Sequence, residues 1–160
     1  MNLGIVSDTH GHLENTLNAV RMLQSFSVDV VIHCGDIGSA EIPALFTKWQ
    51  SHFVFGNVDR DESELRMAIE RAGGICHGRI GTLELSDLRI AFLHSDDGAL
   101  FDTTVASTDW DLVCYGHTHR AEHHLVNNTL VLNPGAIYRA RPHSVTIVKL
   151  PTREVTRVDF

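Results

Sequence analysis

The chain has 160 residues, of which 43% are hydrophobic and 21% charged, with a formal net charge of −7. That length and balance describe one globular domain, residues 1–160, long enough to bury a proper core. With no basic stripe to displace phosphate counterions, duplex nucleic acid and anionic membranes are disfavoured as partners.

Residues 3–6 are a short apolar run, read as a central strand. Leu13, Leu17, Val20, Leu23 and, less regularly, Phe26 recur near helical spacing, which predicts a helix over 13–26. Residues 28–33 are β-branched and uncharged after Asp29, as in a strand covered on both faces. A helix is predicted over 42–49, with Pro43 tolerated in its first turn. Residues 53–55 read as a third strand, and 61–72 as a helix ended by Gly73-Gly74. This βαβαβα order implies a parallel sheet with helices packed on it.

The second half changes character. Residues 82–85 and 88–93 are short strands about a Ser86-Asp87 turn. A helix or loop covers 98–106, and 112–115 is a strand. Residues 122–126 and 129–132 form a hairpin about Asn127-Asn128. A closing antiparallel pair spans 145–150 and 154–158. The halves are expected to be two sheets packed face to face with helices outside.

Each apolar run is released by a turn residue or a small polar one onto a metal-competent group. Asp8 and His10 follow the first strand, Gly35-Asp36 the second and Gly56-Asn57 the third; His94 ends a fourth, and His117 and His119 follow a fifth. Strand ends in an α/β sheet lie along one edge, so these residues can converge. Asp, His and Asn without cysteine describe a site for octahedral divalent metal, read as two ions sharing a carboxylate. Each piece alone is weak, since Gly-Asp and Gly-Asn are ordinary turn pairs and a lone histidine is more often structural. His117-Thr118-His119 is stronger, because alternate residues of an extended segment share a face. In a turn, the two imidazoles would instead reach two adjacent ions.

The order and spacing of the pieces carry the argument. The chain resembles the calcineurin-like metallophosphoesterases, specifically their small single-domain bacterial and archaeal phosphodiesterase branch. The resemblance runs through Ser7-Asp8-Thr9-His10-Gly11, His33-Cys34-Gly35-Asp36, Gly56-Asn57-Val58-Asp59, His94, Gly116-His117-Thr118-His119 and Asn133-Pro134-Gly135. It implies an α/β fold: a four-layer α/β/β/α sandwich of two mixed sheets with flanking helices. It also implies one ion on Asp8, His10 and His119, a second on Asn57, His94 and His117, and Asp36 bridging both. The implied activity is hydrolysis of a small phosphodiester by a hydroxide held between two divalent ions. Manganese is the leading metal; Fe, Ni²⁺, Co²⁺ and Zn²⁺ also suit mixed oxygen and nitrogen ligands. The rival readings are a non-catalytic metal-binding scaffold for protein interaction on the same fold, against which the full ligand set argues, and a nuclease, which would need a basic track.

The chain departs from the family pattern at Val58, where many relatives carry a histidine that assists the leaving group. Activated aryl diesters are therefore the expected substrates. Ser95-Asp96-Asp97-Gly98 stands where relatives have glycine after the histidine, and Asp96 and Asp97 are read as a solvated loop pair. Arg141 matches an arginine of relatives after Asn133-Pro134-Gly135 and is assigned to phosphate binding, with Arg139 a weaker version of the same idea. His12 is either a phosphate contact or proton donor, or a solvent-facing loop residue. His33 is read as packed behind the ligands. His52, His77, His123, His124 and His143 have no motif context.

Cys34, Cys76 and Cys114 include no C-x-x-C pair, and an odd count without a framework points to a reducing compartment, the cytoplasm. Residues 1–6 are followed by Asp8 and His10, so no signal peptide is read there. No apolar stretch approaches the roughly 20 residues of a membrane helix. A homo-oligomer is left open.

Overall fold

A computed structural model describes residues 1–160. The first half runs β1 (Asn2–Val6), α1 (Leu13–Ser25), β2 (Val30–His33), β3 (Gln50–Phe53), α2 (Glu62–Arg71) and β4 (Ile75–Cys76). The second runs β5 (Ile80–Leu85), β6 (Leu88–Leu93), α3 (Gly98–Ala106), β7 (Leu112–Tyr115), β8 (Ala121–Val126), β9 (Thr129–Pro134), β10 (Ser144–Lys149) and β11 (Glu154–Asp159). One sheet has the order β11-β10-β1-β2-β3-β4 and the other β5-β6-β7-β9-β8. Strands β1 to β4 pair in parallel, as do β6, β7 and β9. The carboxyl ends of β1, β2 and β3 therefore share one edge, and those of β6 and β7 another.

Alternation along the strands divides the core into three bands. Leu3, Ile5, Val30 and Ile32 of the first sheet meet Ile90, Phe92, Leu112, Cys114 and Leu132 of the second. On its other face the first sheet packs Val6, Val31 and Ile147 against Ala19, Val20 and Leu23 of α1 and Leu65 and Ile69 of α2. The second sheet packs Ala91, Leu93, Val113 and Val131 against Leu100, Phe101 and Val105 of α3. The result is the expected four-layer α/β/β/α arrangement.

Local departures have physical reasons. Helix α1 buries Thr16, Ala19, Val20 and Leu23, while Leu13 and Leu17 are 40% and 41% exposed. Val20 and Leu23 are buried as the spacing predicts, while Thr16 and Ala19 take the inward positions expected of Leu13 and Leu17. Residues 42–49 form no α-helix; only Pro43–Phe46 make a 3₁₀ turn, because Gln50 already pairs with Val30 in β3. The third strand ends at Phe53, so Val54 and Phe55 continue the buried apolar run beyond the ladder. The two-residue β4 was not anticipated, and 98–106 is helical, capped by Asp97 accepting from the Leu100 N–H.

Phe92 fills the gap between the sheets, edge-on to both His52 and His77. Phe92→Ala should lower unfolding free energy by about 3–5 kcal/mol in urea titrations. Leu125→Ala, at a side chain 64% exposed, should change it by less than about 0.5 kcal/mol.

Candidate metal centre

Each ligand candidate sits where the chain turns sharply out of a strand. Asp8, His10, Asp36, His117 and His119 have φ of 58°, 47°, 54°, 72° and 59°. Left-handed backbone is uncommon outside glycine, and Asp, Asn and His adopt it most readily. Two glycines permit the crowding. A Cβ on Gly116 would lie 2.1 Å from Ser7 Oγ and 3.0 Å from Asp8 Oδ2; one on Gly56 would lie 2.1 Å from Asp36 Oδ1.

Two groups of donor atoms result, Asp8–His10–His119 and Asp8–Asp36–His94. Asp8 Oδ1 lies 3.0 Å from His119 Nε2, 3.7 Å from His10 Nε2 and 3.9 Å from His94 Nε2. Asp36 turns Oδ1 to within 3.2 Å of His94 Nε2 and Oδ2 to within 3.6 Å of His10 Nε2. His94 Nδ1 donates to the Cys34 carbonyl at 2.8 Å. A carbonyl can only accept, so Nε2 presents a lone pair to the centre. Asp8 Oδ1 and His94 Nε2 are buried and have no hydrogen-bond partner. Buried polar atoms are rarely left unpaired, and two acceptors facing one space fit a cation between them.

The electrostatics agree. Burial opposes ionisation of Asp8, but the imidazoles of His10, His119 and His94 outweigh it and hold the carboxyl well below its usual range. Burial likewise works against Asp36, whose pKa is nonetheless lowered by His94 and by the Val58 N–H that reaches Oδ1 at 3.1 Å. Burial lowers the basicity of His94, yet Asp36 and Asp8 raise it overall; Asp8 also raises that of His119.

The other candidates surround this cluster. Strand β7 ends at Tyr115, so His117 and His119 occupy a turn and diverge, the first ring 5.2 Å from His94 and the second 5.3 Å from His10. The His117 N–H donates to Asp8 Oδ2 at 3.2 Å. Asn57 is exposed in a cleft beside Gly56. His12 caps α1, its Nδ1 accepting from the Asn15 N–H at 3.3 Å, and shares a cleft with Arg141. His33 is packed behind the ligands as expected. Its Nε2 meets Thr9 Oγ1 at 2.9 Å, its Nδ1 accepts from the Gly35 N–H, and burial pushes its pKa down to about 3. Asp97 is exposed as expected and caps α3, whereas Asp96 is half-buried and ion-paired with Arg79.

Sequence reasoning undervalued three groups. Asp59 is buried and accepts from three backbone N–H groups, Gly38 at 2.8 Å, Gly56 at 2.8 Å and Ile37 at 3.1 Å. It ties the Asp36 loop to the Asn57 loop, and its proximity to Gly56-Asn57 was the available signal. Asn133 Nδ2 donates to the Gly116 carbonyl at 2.9 Å and to Thr118 Oγ1 at 3.1 Å, which fixes the His117–His119 turn. Tyr138 stacks on His12 with centroids 4.7 Å apart, and nothing local in the sequence marks it.

A partly buried cluster of two carboxylates and three imidazoles at the strand ends of an α/β/β/α sandwich is the architecture of a metallophosphoesterase-type protein. Residues 1–154 match the calcineurin-like phosphoesterase superfamily domain, and the chain belongs to that family. It is 32% identical over 139 residues to phosphodiesterase MJ0936 of Methanocaldococcus jannaschii, covering 84% of this chain and 83% of that one. It is 30% identical over 143 residues to the probable metallophosphoesterase YsnB of Bacillus subtilis, covering 86% and 75% respectively. The solved structure of an archaeal phosphodiesterase superposes with a TM-score of 0.92 at 28% identity, over 100% of both chains.

Two expectations follow for metal content. Asp36→Asn should bind less Mn²⁺ by elemental analysis than any other single-ligand variant, with Asp59→Asn losing less because one acceptor oxygen survives. An Asp36→Asn protein that still holds two tightly bound ions would overturn this order. Protons compete for the raised imidazoles of His94 and His119, and metal needs them neutral. Mn²⁺ affinity measured by calorimetry should therefore rise, with proton release, as pH is raised through and above the ordinary imidazole value of about 6.5.

Proposed function

We propose that residues 1–160 act as one dinuclear-metal phosphodiesterase domain on a small substrate in the cytoplasm. The observation that carries this reading is the buried pair of unpartnered acceptors, Asp8 Oδ1 and His94 Nε2, between two donor groups. The names of the relatives support the substrate class. Asp8, His10 and His119 would hold one ion; His94, His117 and Asn57 the other; Asp36 would bridge, since its two oxygens face His94 and His10 separately. When bound, two divalent ions, manganese first among them, would neutralise the phosphoryl oxygens and acidify the water that attacks phosphorus.

The chain's own residues do the rest. Val58 and Asp59 hold the bridging carboxylate and its loop through backbone hydrogen bonds. Arg141 supplies a fixed positive charge for a phosphoryl oxygen. His12 keeps Nδ1 as the acceptor of the α1 cap, so its proton stands on Nε2, free to donate. The three cysteines are free thiols, which supports a reducing compartment. No helix is long and apolar enough to cross a membrane.

Val58 can neither donate a proton nor stabilise a leaving oxygen, and general-acid assistance contributes about 10²–10⁴-fold in rate. Activated aryl phosphodiesters should therefore be hydrolysed much faster than alkyl ones, with weak monoesterase activity, and Val58→His should narrow the gap. Steady-state rates on both substrates for both proteins decide it. Equal aryl and alkyl rates in the unaltered protein would mean another proton donor, with His12 the first to test. Tight metal binding without hydrolysis of any diester would favour a binding scaffold instead.

A further inference from the structure

Beside the metal centre lies a cleft of about 510 Å³. Tyr138, Arg139, Arg141 and His143 line it from the chain leading into β10, and His12 and Asn15 from the start of α1. No carboxylate lines it, in a chain whose net charge is −7. Arg139 and Arg141 are not among the ion-paired arginines, which are Arg79, Arg89 and Arg157.

The cleft wall adjoins the metal centre through Tyr138 and Arg139. The Tyr138 N–H donates to the Asp8 carbonyl at 3.0 Å, and the Arg139 carbonyl lies 3.3 Å from His119 Nδ1. Its walls are held in place. His12 and Tyr138 stack with their planes 18° apart, and the Arg139 guanidinium lies over the Tyr138 ring at 5.7 Å. The Asn15 amide donates to the Ile137 carbonyl at 2.9 Å and meets His143 Nε2 at 3.3 Å. The Asn57 side of the centre differs. There, a cleft of about 670 Å³ sets Arg60 and Arg79 among Asp59, Asp61 and Glu62, with Arg79 already paired to Asp96.

One flank is thus charge-balanced; on the other, with Arg141 given to the scissile phosphoryl group, the Arg139 guanidinium and the His143 imidazole remain uncommitted. The centre accounts for the scissile diester, so the unmatched positive charge is available to a second anion. We infer that the Tyr138–His143 cleft binds a phosphate monoester carried on one ester arm of the substrate, so that preferred substrates are phosphodiesters bearing a further phosphate. This rests on the phosphodiesterase reading of the adjoining centre.

The test compares the 4-nitrophenyl ester of thymidine 5′-phosphate with the same ester carrying a 3′-phosphate, on Mn²⁺-loaded protein. The doubly phosphorylated ester should have a kcat/KM at least about tenfold higher, the scale of one charge-assisted contact. Arg139→Met and His143→Gln should each move that ratio toward one, and Arg139→Lys should restore part of it. In parallel, calorimetry compares thymidine 3′,5′-bisphosphate with thymidine 5′-monophosphate, and the bisphosphate should bind about tenfold tighter through the same side chains. Two esters turned over at equal rates, or a ratio untouched in the Arg139 and His143 variants, would overturn the cleft assignment alone. If neither ester is hydrolysed while the bisphosphate still binds tighter through Arg139, the cleft stands and the phosphodiesterase reading falls.

Discussion

The meeting of Asp8 and His94 across the gap between the two sheets is the contact on which the site depends. Asp8 belongs to the turn after β1 in the first sheet, and His94 follows β6 in the second. The His94 ring is anchored from behind to the Cys34 carbonyl, which lies just past β2. One imidazole therefore bonds to one sheet while extending the other, and the inter-sheet core of Leu3, Ile5, Phe92 and Cys114 sets the spacing. The donor geometry is thus a property of how two sheets pack, and loosening that core would loosen the centre.

The cluster is costly to fold without a cation. Two acceptors are buried without partners, several side chains of like type crowd together, and five ligand candidates hold left-handed backbone. Strain of this kind persists where the surroundings over-determine it. Here the restraints are identifiable: Asp59 gathers three N–H groups from two loops, Asn133 pins the turn around Thr118, and Gly56 and Gly116 admit neighbours that any Cβ would exclude. A bound cation would offset part of the cost, which couples metal loading to stability.

Much of the fold was legible because strong local patterns coincide with the final packing. Residues 112–115 emerge as predicted because a short apolar run has a place between two strands, and the hairpin because Asn127-Asn128 supplies its turn. Legibility failed where tertiary context decides. In α1, Val20 and Leu23 face the core as predicted but Leu13 and Leu17 give way to Thr16 and Ala19, and the 42–49 segment makes only a 3₁₀ turn before Gln50 joins the sheet. For the site, Asp8, His10, Asp36, His94 and His119 were legible because each is a polar residue expelled from an apolar run. Asp59 carried a signal in its place beside Gly56-Asn57, but its reach to Ile37 and Gly38 did not show; Tyr138 had none, since its stacking partner His12 is distant in sequence. His143 had no motif and comes to line the cleft beside Asn15 only on folding.

The left-handed turns also set the terms on which the site can change over evolutionary time. At Asp8, Asp36, His117 and His119, a drift to asparagine or glycine keeps the backbone comfortable, whereas a β-branched replacement would be a steric outlier. Descendants that lose metal binding are therefore channelled toward the few residues that leave the architecture intact. A sandwich with an emptied centre, free to serve some other purpose, is closer in mutational distance than an unfolded one.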